Sequence, residues 1–287
     1  MIPLQVRRIL LTAAAVIIIL ILLGATYQGV ATALERRQFP HPGRLIDVGG
    51  RQLHINCTGN STPVVVLEAP AAGLSAAWGW VQPAVAGTTR VCSYDRAGLG
   101  WSELGDAEFA PSEVPQHLRT LLERAGESGP FVVVGQGLGA AFATMFAAQF
   151  GGDTAALILV DAPQAASGRD EGGRVRLVRV SPWLARAGIL SVTRMLSERT
   201  EGLPAGSAGA LETFLNRPDH LTQSARELAR WDETVQAAVL TPGAAIPVVR
   251  VTAAGDNRVT FLTDAETAER VAATIAETVA LIRNRHK

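Results

Sequence analysis

Short apolar runs alternate with amphipathic segments along the chain, as in proteins that layer helices on a sheet. Four of these runs are continuous and have the length of strands buried on both faces; they lie at 63–68, 90–94, 131–134 and 155–160. Two more strand-like runs, at 44–48 and 52–57, are joined by Gly49-Gly50, which is typical of a hairpin. Because strands alternate with helices, we predict an α/β fold with a mostly parallel sheet flanked by helices.

The segments between the strands space their apolar residues as helices do. This spacing predicts one helix over 111–125 and a second, rich in small residues, over 138–150. From 163 to about 240 the strand pattern stops, and an Arg-rich helical pattern with proline breakers takes its place. We interpret this segment as a helical insertion.

A last strand is predicted at 246–253, and the chain closes with a helix. Thr263 and Glu266 have capping-box spacing at its start. Its apolar face is predicted to consist of four residues: Val271, Ile275, Val279 and Ile282.

The amino-terminal segment is the most apolar part of the chain. Residues 9–25 carry no charge and follow Arg7 and Arg8. We predict an uncleaved membrane anchor, 1–33, that contacts the membrane through 9–27 and leaves residues 34–287 outside the cytoplasmic membrane. The alternative is a signal peptide cleaved after Ala31-Thr32-Ala33, which would secrete the body.

Composition and charge exclude several classes of function for this chain. The chain has 287 residues, 48% of them hydrophobic, and its 26 basic residues balance 26 acidic ones. This composition is not that of a disordered chain, and no basic excess is present to bind nucleic acid. The two cysteines, Cys57 and Cys92, would meet an oxidising compartment, where either a disulfide or two buried free thiols is compatible with the sequence.

One motif carries the candidate chemistry. Gly135-Gln136-Gly137-Leu138-Gly139 follows a strand and precedes a helix, which is the frame G-x-S-x-G of a nucleophile elbow. The position of the serine is occupied by Gly137. Without a hydroxyl group, no covalent acyl intermediate forms by that route.

From Gly43 to its end, the chain resembles the alpha/beta-hydrolase fold family. Five motifs stand in family order: VVVLEA at 64–69, SYDRAGLGWSE at 93–103, GQGLG at 135–139, LILVDAP at 157–163 and PVVRVTAAGD at 247–256. The resemblance implies an alpha/beta-hydrolase-like domain over 34–287 with a helical lid over 164–240. It also includes the anchor, because some bacterial members carry a membrane segment before the hydrolase body.

Departures from the family pattern are as informative as the matches. Asp256 stands at the position of the catalytic acid, but the helix cap Thr263 follows after only seven residues, and the segment of the base histidine is missing. In an alternative alignment, Arg258 replaces that histidine and the acid strand is lost. Pro70, in the loop that resembles the oxyanion loop, has no N–H group to donate. The nearest histidine downstream of Asp256, His286, lies at the end of the chain.

The remaining candidates are expected to be structural. The resemblance implies that the strands of Cys57 and Cys92 are neighbours, which favours a disulfide, and that Asp95 and Asp161 support turns. His54, His117 and His220 lack a partner at triad spacing, and the tryptophans at 78, 80 and 101 are expected to pack. No residues have the spacing of a metal or nucleotide site, so no cofactor is predicted.

The sequence therefore predicts a hydrolase-like, catalytically impaired protein of the esterase type. At most it binds a small apolar or ester-like ligand under the lid, in a pocket made by five residues: Ala69, Pro70, Gln136, Gly137 and Leu138. One alternative is an active esterase-type hydrolase whose nucleophile or base comes from the lid or a partner. Another is a decaying gene product.

Overall fold

The computed structural model describes residues 3–105, 108–163, 200–215, 217–240, 246–252 and 262–285. Seven strands form one sheet: β1 Arg44–Asp47, β2 Gln52–Thr58, β3 Val65–Glu68, β4 Val91–Tyr94, β5 Phe131–Gln136, β6 Thr154–Val160 and β7 Val248–Val251. The described helices are α1 Leu4–Gln38, α2 Val81–Ala86, α3 Val114–Ala125, α4 Leu138–Gln149, α5 Ala205–Leu215, α6 Pro218–Ala229, α7 Trp231–Leu240 and α8 Ala265–Arg285.

The sheet has the strand order β1-β2-β4-β3-β5-β6-β7. The hairpin β1–β2 and the pair β2–β4 are antiparallel, and every other pair is parallel. The central strands β3, β4 and β5 are buried along their whole length. The predicted α/β class and mostly parallel sheet are therefore confirmed, because continuous apolar runs suit strands that are covered on both faces.

Helices cover both faces of the sheet. On one face, α2 and α8 pack against β3, β5 and β6; on the other, α3 and α4 pack against β2, β4 and β5. The apolar face predicted for the last helix is buried. Its cap is different from the prediction, because Asp264 Oδ2, rather than Thr263, accepts a hydrogen bond from the backbone N–H of Thr267 at 2.8 Å.

The amino-terminal apolar run lies in α1, which extends from Leu4 to Gln38. Among the described residues, no helix has both the length and the apolar character that crossing a bilayer requires. The chain after α1 contacts the body, because the indole Nε1 of Trp101 donates to the carbonyl oxygen of Phe39 at 3.0 Å.

The predicted helical insertion is described in part. Residues 164–199 lie outside the described ranges, and the rest of the insertion consists of α5, α6 and α7. Four polar residues of α6 are buried: His220, Gln223, Ser224 and Glu227. Two of these side chains, His220 and Glu227, form hydrogen bonds with residues of the body.

The two cysteines lie directly opposite each other on β2 and β4. Cys57 and Cys92 are register partners with a Cα–Cα distance of 4.0 Å, and their sulfur atoms form a disulfide. The strand adjacency that the family resemblance implied is therefore present. The alternative arrangement, two free thiols, is not the one in the structure.

Candidate functional site

The elbow between β5 and α4 keeps its shape without its nucleophile. Gly137 has φ 53° and ψ −123°, a left-handed conformation that L side chains adopt only under strain. The glycines on both sides are sterically required: a Cβ at Gly135 would lie 2.4 Å from the carbonyl oxygen of Gly139, and one at Gly139 would lie 2.4 Å from that of Ala69. At Gly137 itself the nearest atom to an added Cβ is Pro70 Cβ, at an ordinary 3.6 Å. The turn therefore has open space at position 137, where this chain has glycine.

Residues of the predicted ligand pocket lie around the elbow, and Ala69 approaches it closely enough to contact an added Cβ at Gly139. Pro70 lies over Gly137, and Gln136 ends the buried strand β5 directly before it. Leu138 instead packs into an apolar cluster with Ala71 and Phe142. Leu138 is therefore a core residue as well as a neighbour of the elbow.

The loop after β3 directs carbonyl oxygens, rather than N–H groups, toward a cation. The Arg96 guanidinium donates to the carbonyl oxygens of Ala69 at 2.7 Å and Pro70 at 3.0 Å. Pro70 has no N–H, and Ala72 has a positive φ of 57°. An oxyanion hole needs donors that point at developing negative charge, and Pro70 has no N–H group to serve as one.

Arg96 is the centre of a buried ionic cluster that joins the insertion to the sheet. Its Nε and Nη2 atoms contact the two carboxylate oxygens of Glu227 on α6, each at 2.8 Å, and its Nη1 contacts Glu68 at 2.5 Å. The hydroxyl group of Tyr94 donates a hydrogen bond to the carboxyl group of Glu68. Burial raises the pKa of Glu68, and burial also raises the pKa of Tyr94. One guanidinium thus lies between two carboxyl groups that are removed from solvent.

Sequence reasoning did not find this cluster. Glu68 and Arg96 lie within the quoted family motifs, but Glu227 is 131 residues from Arg96 along the chain. The only signal for it is a charged residue on the buried side of an amphipathic helix. Such a signal shows that a partner is needed and does not say which one.

A serine, a histidine and an aspartate meet below Trp101. His54 Nδ1 lies 3.0 Å from Asp95 Oδ2 and 3.4 Å from Ser75 Oγ, and all three side chains are buried. Asp95 and Ser75 both contact Nδ1, whereas in a catalytic triad the acid and the nucleophile contact opposite nitrogens of the ring. Within the described part of the chain, the other nitrogen, Nε2, has no hydrogen-bond partner. The cluster is not arranged as a proton relay.

Asp95 has the turn-supporting role that the family resemblance implies. Its carboxylate accepts the backbone N–H groups of Ser75 at 2.6 Å and Trp101 at 3.0 Å, in addition to its contact with His54. Burial alone would raise the pKa of Asp95, but these hydrogen bonds and the histidine outweigh burial and lower it. Asp161 ends β6 with a positive φ of 47°, and its N–H donates to Val251.

His220 of α6 fixes two loops of the body. Its Nδ1 accepts the N–H of Gly100 at 3.1 Å, and its Nε2 lies 3.0 Å from the carbonyl oxygen of Ala72. A neutral ring with its proton on Nε2 satisfies both contacts. Burial lowers the pKa of His220 to about 4, since a charged ring would lose its hydration.

This buried histidine predicts a loss of stability in mild acid. The folded pKa of about 4 lies below an unfolded value near 6.5. The stability that the neutral ring contributes is therefore complete above pH 6.5 and is lost as the pH falls toward 4. When the pH falls from 7 to 4.5, the free energy of unfolding of the unchanged protein should decrease through this group. We expect the decrease to be about 2.5 kcal/mol smaller for His220→Gln. Urea unfolding at both pH values measures this difference.

The control for that experiment is His41→Gln, because His41 is exposed. The groups that act on His220 through charge, Asp95, Arg217 and Arg96, are the same in all three proteins. If His220→Gln and His41→Gln have equally steep pH profiles, His220 is not the group that titrates.

The other predicted residues have the following positions. Trp78 is buried in the core, and Trp80 Nε1 donates to the carbonyl oxygen of Gly202. His117 is half-buried on α3, where burial and then the charge of Arg51 lower its pKa. Asp256, Arg258 and His286 lie outside the described residues.

One group of three ligating side chains occurs among the described residues. Cys57, Cys92 and Glu127 place a sulfur or oxygen atom each within 4.8 Å of one another. The two sulfur atoms are bonded to each other, so they offer no thiolates to a metal ion.

A sheet of this order, with an elbow between β5 and α4, points to one family. Residues 64–286 match the model described as "Alpha/beta hydrolase family". The chain belongs to the alpha/beta hydrolase family. The resemblance drawn from the five sequence motifs is confirmed at this level.

Two curated proteins match shorter stretches of this chain. An uncharacterized protein of Schizosaccharomyces pombe is 33% identical over 111 residues, which are 38% of this chain and 21% of that protein. A protein named "Probable transporter efuK", from Hormonema carpetanum, is 31% identical over 97 residues, which are 32% of this chain and 14% of its own. The matched region therefore spans about a fifth and about a seventh of these relatives.

Several solved structures share the fold over nearly their whole length. DbjA superimposes with a TM-score of 0.64 at 16% identity, covering 85% of this chain and 98% of DbjA. The epoxide hydrolase CorEH gives 0.64 at 18% identity, covering 83% and 98%. Cfl2 from Burkholderia cenocepacia gives 0.64 at 18% identity, covering 82% and 95%. At such identities the likeness concerns the fold alone.

Proposed function

We propose that this member of the alpha/beta hydrolase family lacks Ser-His-Asp catalysis and acts at most as a binding protein for a small apolar or ester-like ligand. The observation that carries the proposal is Gly137, which stands in an intact elbow with open space where the serine would be. Acyl transfer needs an attacking oxygen, a base for its proton and donors for the oxyanion. Gly137 supplies no oxygen, and Pro70 supplies no donor.

The histidines in the described ranges support the same proposal. His220 uses both ring nitrogens to hold backbone groups of Gly100 and Ala72, and its lowered pKa makes it a poor proton acceptor. His54 directs one nitrogen at Asp95. His220 therefore has no free ring nitrogen with which to deprotonate an oxygen at the elbow, and the ring of His54 is completely buried.

We further propose that the body is held outside the cytoplasmic membrane through α1. Among the α1 side chains that the structure describes, ten large apolar ones are exposed, including Ile9, Leu10 and Leu23, and a bilayer would cover them. The disulfide between Cys57 and Cys92 favours an oxidising compartment. Carbonate extraction of membranes tests the tether: a body that is released into the soluble fraction would contradict it, and cleavage after Ala33 would explain the release.

An ester assay on Gly137 variants tests the catalytic proposal. Serine fits at 137, because the nearest atom to its Cβ would be Pro70 Cβ at 3.6 Å. We expect Gly137→Ser to hydrolyse p-nitrophenyl esters no more than about tenfold faster than the unchanged protein, because the hydroxyl would still lack its proton acceptor. Turnover is followed by release of p-nitrophenolate.

Gly137→Ala is the matched control, since it introduces the same strain without an oxygen. A Gly137→Ser rate that exceeds the Gly137→Ala rate by about a thousandfold would show that a base is present and would overturn the proposal. A high rate in the unchanged protein would overturn it as well.

An active esterase-type hydrolase is the second candidate function. The observation that favours it is the contact of Ser75, His54 and Asp95, which are the residue types of a triad. Against it stand their burial and the shared ring nitrogen. If the unchanged protein turns over esters, Ser75→Ala identifies this cluster as the source by abolishing the activity.

A further inference from the structure

His54 is a buried histidine that leaves one of its ring nitrogens unused. It lies on β2 and is completely buried, and its Nε2 atom has no hydrogen-bond partner within the described residues. The rings of Trp101 and His41 lie beside it, with centroid distances of 4.9 Å and 6.0 Å. Buried polar atoms normally have a partner, so this nitrogen indicates that a ligand is missing from the structure.

Asp95 determines which nitrogen of His54 carries the proton. Despite its burial, hydrogen bonds lower the pKa of Asp95, so its carboxylate is ionised and can only accept. Its Oδ2 atom lies 3.0 Å from Nδ1 of His54. In the neutral ring, Nδ1 therefore carries the proton and Nε2 carries a lone pair. A carboxylate that holds the other ring nitrogen is the usual companion of a histidine that binds a metal ion.

His41 has the same arrangement of its ring. It lies shortly after the end of α1 and is exposed, and its Nδ1 atom lies 2.8 Å from the carbonyl oxygen of Gly43. A carbonyl oxygen only accepts hydrogen bonds, so Nδ1 carries the proton and Nε2 again carries the lone pair. A backbone carbonyl group is the other common partner of a metal-binding histidine. Both rings therefore offer Nε2 as a ligand atom.

The distance between the two rings suits a single shared ion. A histidine nitrogen binds zinc at about 2.0–2.1 Å, so the centroids of two rings that share an ion lie about 5–6.5 Å apart. The observed distance between the centroids of His41 and His54 is 6.0 Å. Because His41 is exposed, its ring can turn toward the ion, and water can supply the remaining ligands. The negative charge of Asp95 behind His54 favours a cation here.

We propose that the Nε2 atoms of His41 and His54 bind one divalent transition-metal ion, while Asp95 and the carbonyl group of Gly43 hold the two rings in place. Imidazole ligands favour zinc and copper over magnesium and calcium. The ion would fasten the segment after α1 to β2, close to the hydrogen bond between Trp101 and Phe39. The site is independent of the elbow and of any activity there.

Calorimetric titration of the untagged full chain with Zn²⁺, and separately with Cu²⁺, tests the proposal. We expect saturable binding of one ion per chain, with Cu²⁺ bound more tightly than Zn²⁺. His41→Gln and His54→Gln should each raise the dissociation constant of Zn²⁺ about tenfold or more, because each removes a ligand. Excess Zn²⁺ should raise the Tm of the unchanged protein and leave that of His41→Gln unchanged, since only a bound ion stabilises the folded state.

His117→Gln is the matched control, because it removes a histidine of α3 and should leave the dissociation constant unchanged. Circular dichroism without metal shows whether each variant is folded. His41→Gln removes an exposed side chain, so it decides the question even if the buried replacement His54→Gln does not fold. The proposal is overturned if neither ion binds, if His41→Gln binds Zn²⁺ as tightly as the unchanged protein, or if His117→Gln weakens binding equally.

Discussion

Replacing Arg96 by methionine is expected to lower the free energy of unfolding by about 3–5 kcal/mol. Methionine fills similar space but leaves the carboxyl groups of Glu68 and Glu227 buried beside each other without a cation. It also leaves the carbonyl oxygens of Ala69 and Pro70 without their donor. Urea unfolding at pH 7 measures the loss.

Arg119→Met is the matched control for this experiment. Arg119 also contacts two carboxylates, Glu123 and Asp153, but these partners are 55% and 37% exposed. Its loss should cost less than about 1 kcal/mol. A double variant, Arg96→Met with Glu227→Gln, should recover part of the stability, because one uncompensated charge is removed.

The pH dependence of the Arg96→Met deficit gives a second measurement. Burial already raises the pKa of Glu68, and loss of the arginine would raise it further. Protonation of Glu68 in mild acid would remove one of the two buried charges, so the loss of unfolding free energy should shrink as the pH is lowered from 7 to 5. Equal losses for Arg96→Met and Arg119→Met would contradict the role assigned to the cluster.

Removing the disulfide is expected to have a similarly large effect. Cys57 and Cys92 are 35 residues apart, and the chain-entropy model assigns about 4 kcal/mol to a loop of that length. The double variant Cys57→Ser with Cys92→Ser should unfold at correspondingly lower urea concentration. Mass mapping without reductant first establishes whether the bond forms in the expressed protein.

Reductant distinguishes this effect from a packing defect. Dithiothreitol should destabilise the unchanged protein and leave the double serine variant unaffected. Two free thiols in the expressed body would contradict the bond. A bond whose reduction does not change stability would mean that β2 and β4 are held by the sheet alone.

Local pattern predicted the elements that depend on neighbouring residues. The hairpin at Gly49-Gly50, the four buried strands and the glycine frame around Gly137 each depend on a few adjacent positions. The cap of the last helix was predicted at Thr263 but is Asp264, because both are capping residues and only the backbone geometry selects Asp264. Adjacent side chains with equal capping ability cannot be separated by sequence.

The polar clusters could not be predicted in the same way. His220 meets Ala72 across 148 residues, and Arg96 meets Glu227 across 131. Sequence shows that a buried histidine or glutamate needs a partner, but the partner is fixed only when the insertion packs on the sheet.

The sequence by itself determined the family, the order of the elements and the glycine at the elbow, because backbone periodicity and steric demand at a tight turn are local properties. The tertiary structure decided where the buried charges meet and which histidine loses its basicity. Those properties depend on desolvation and on distances between distant segments, and both arise only after the layers have packed.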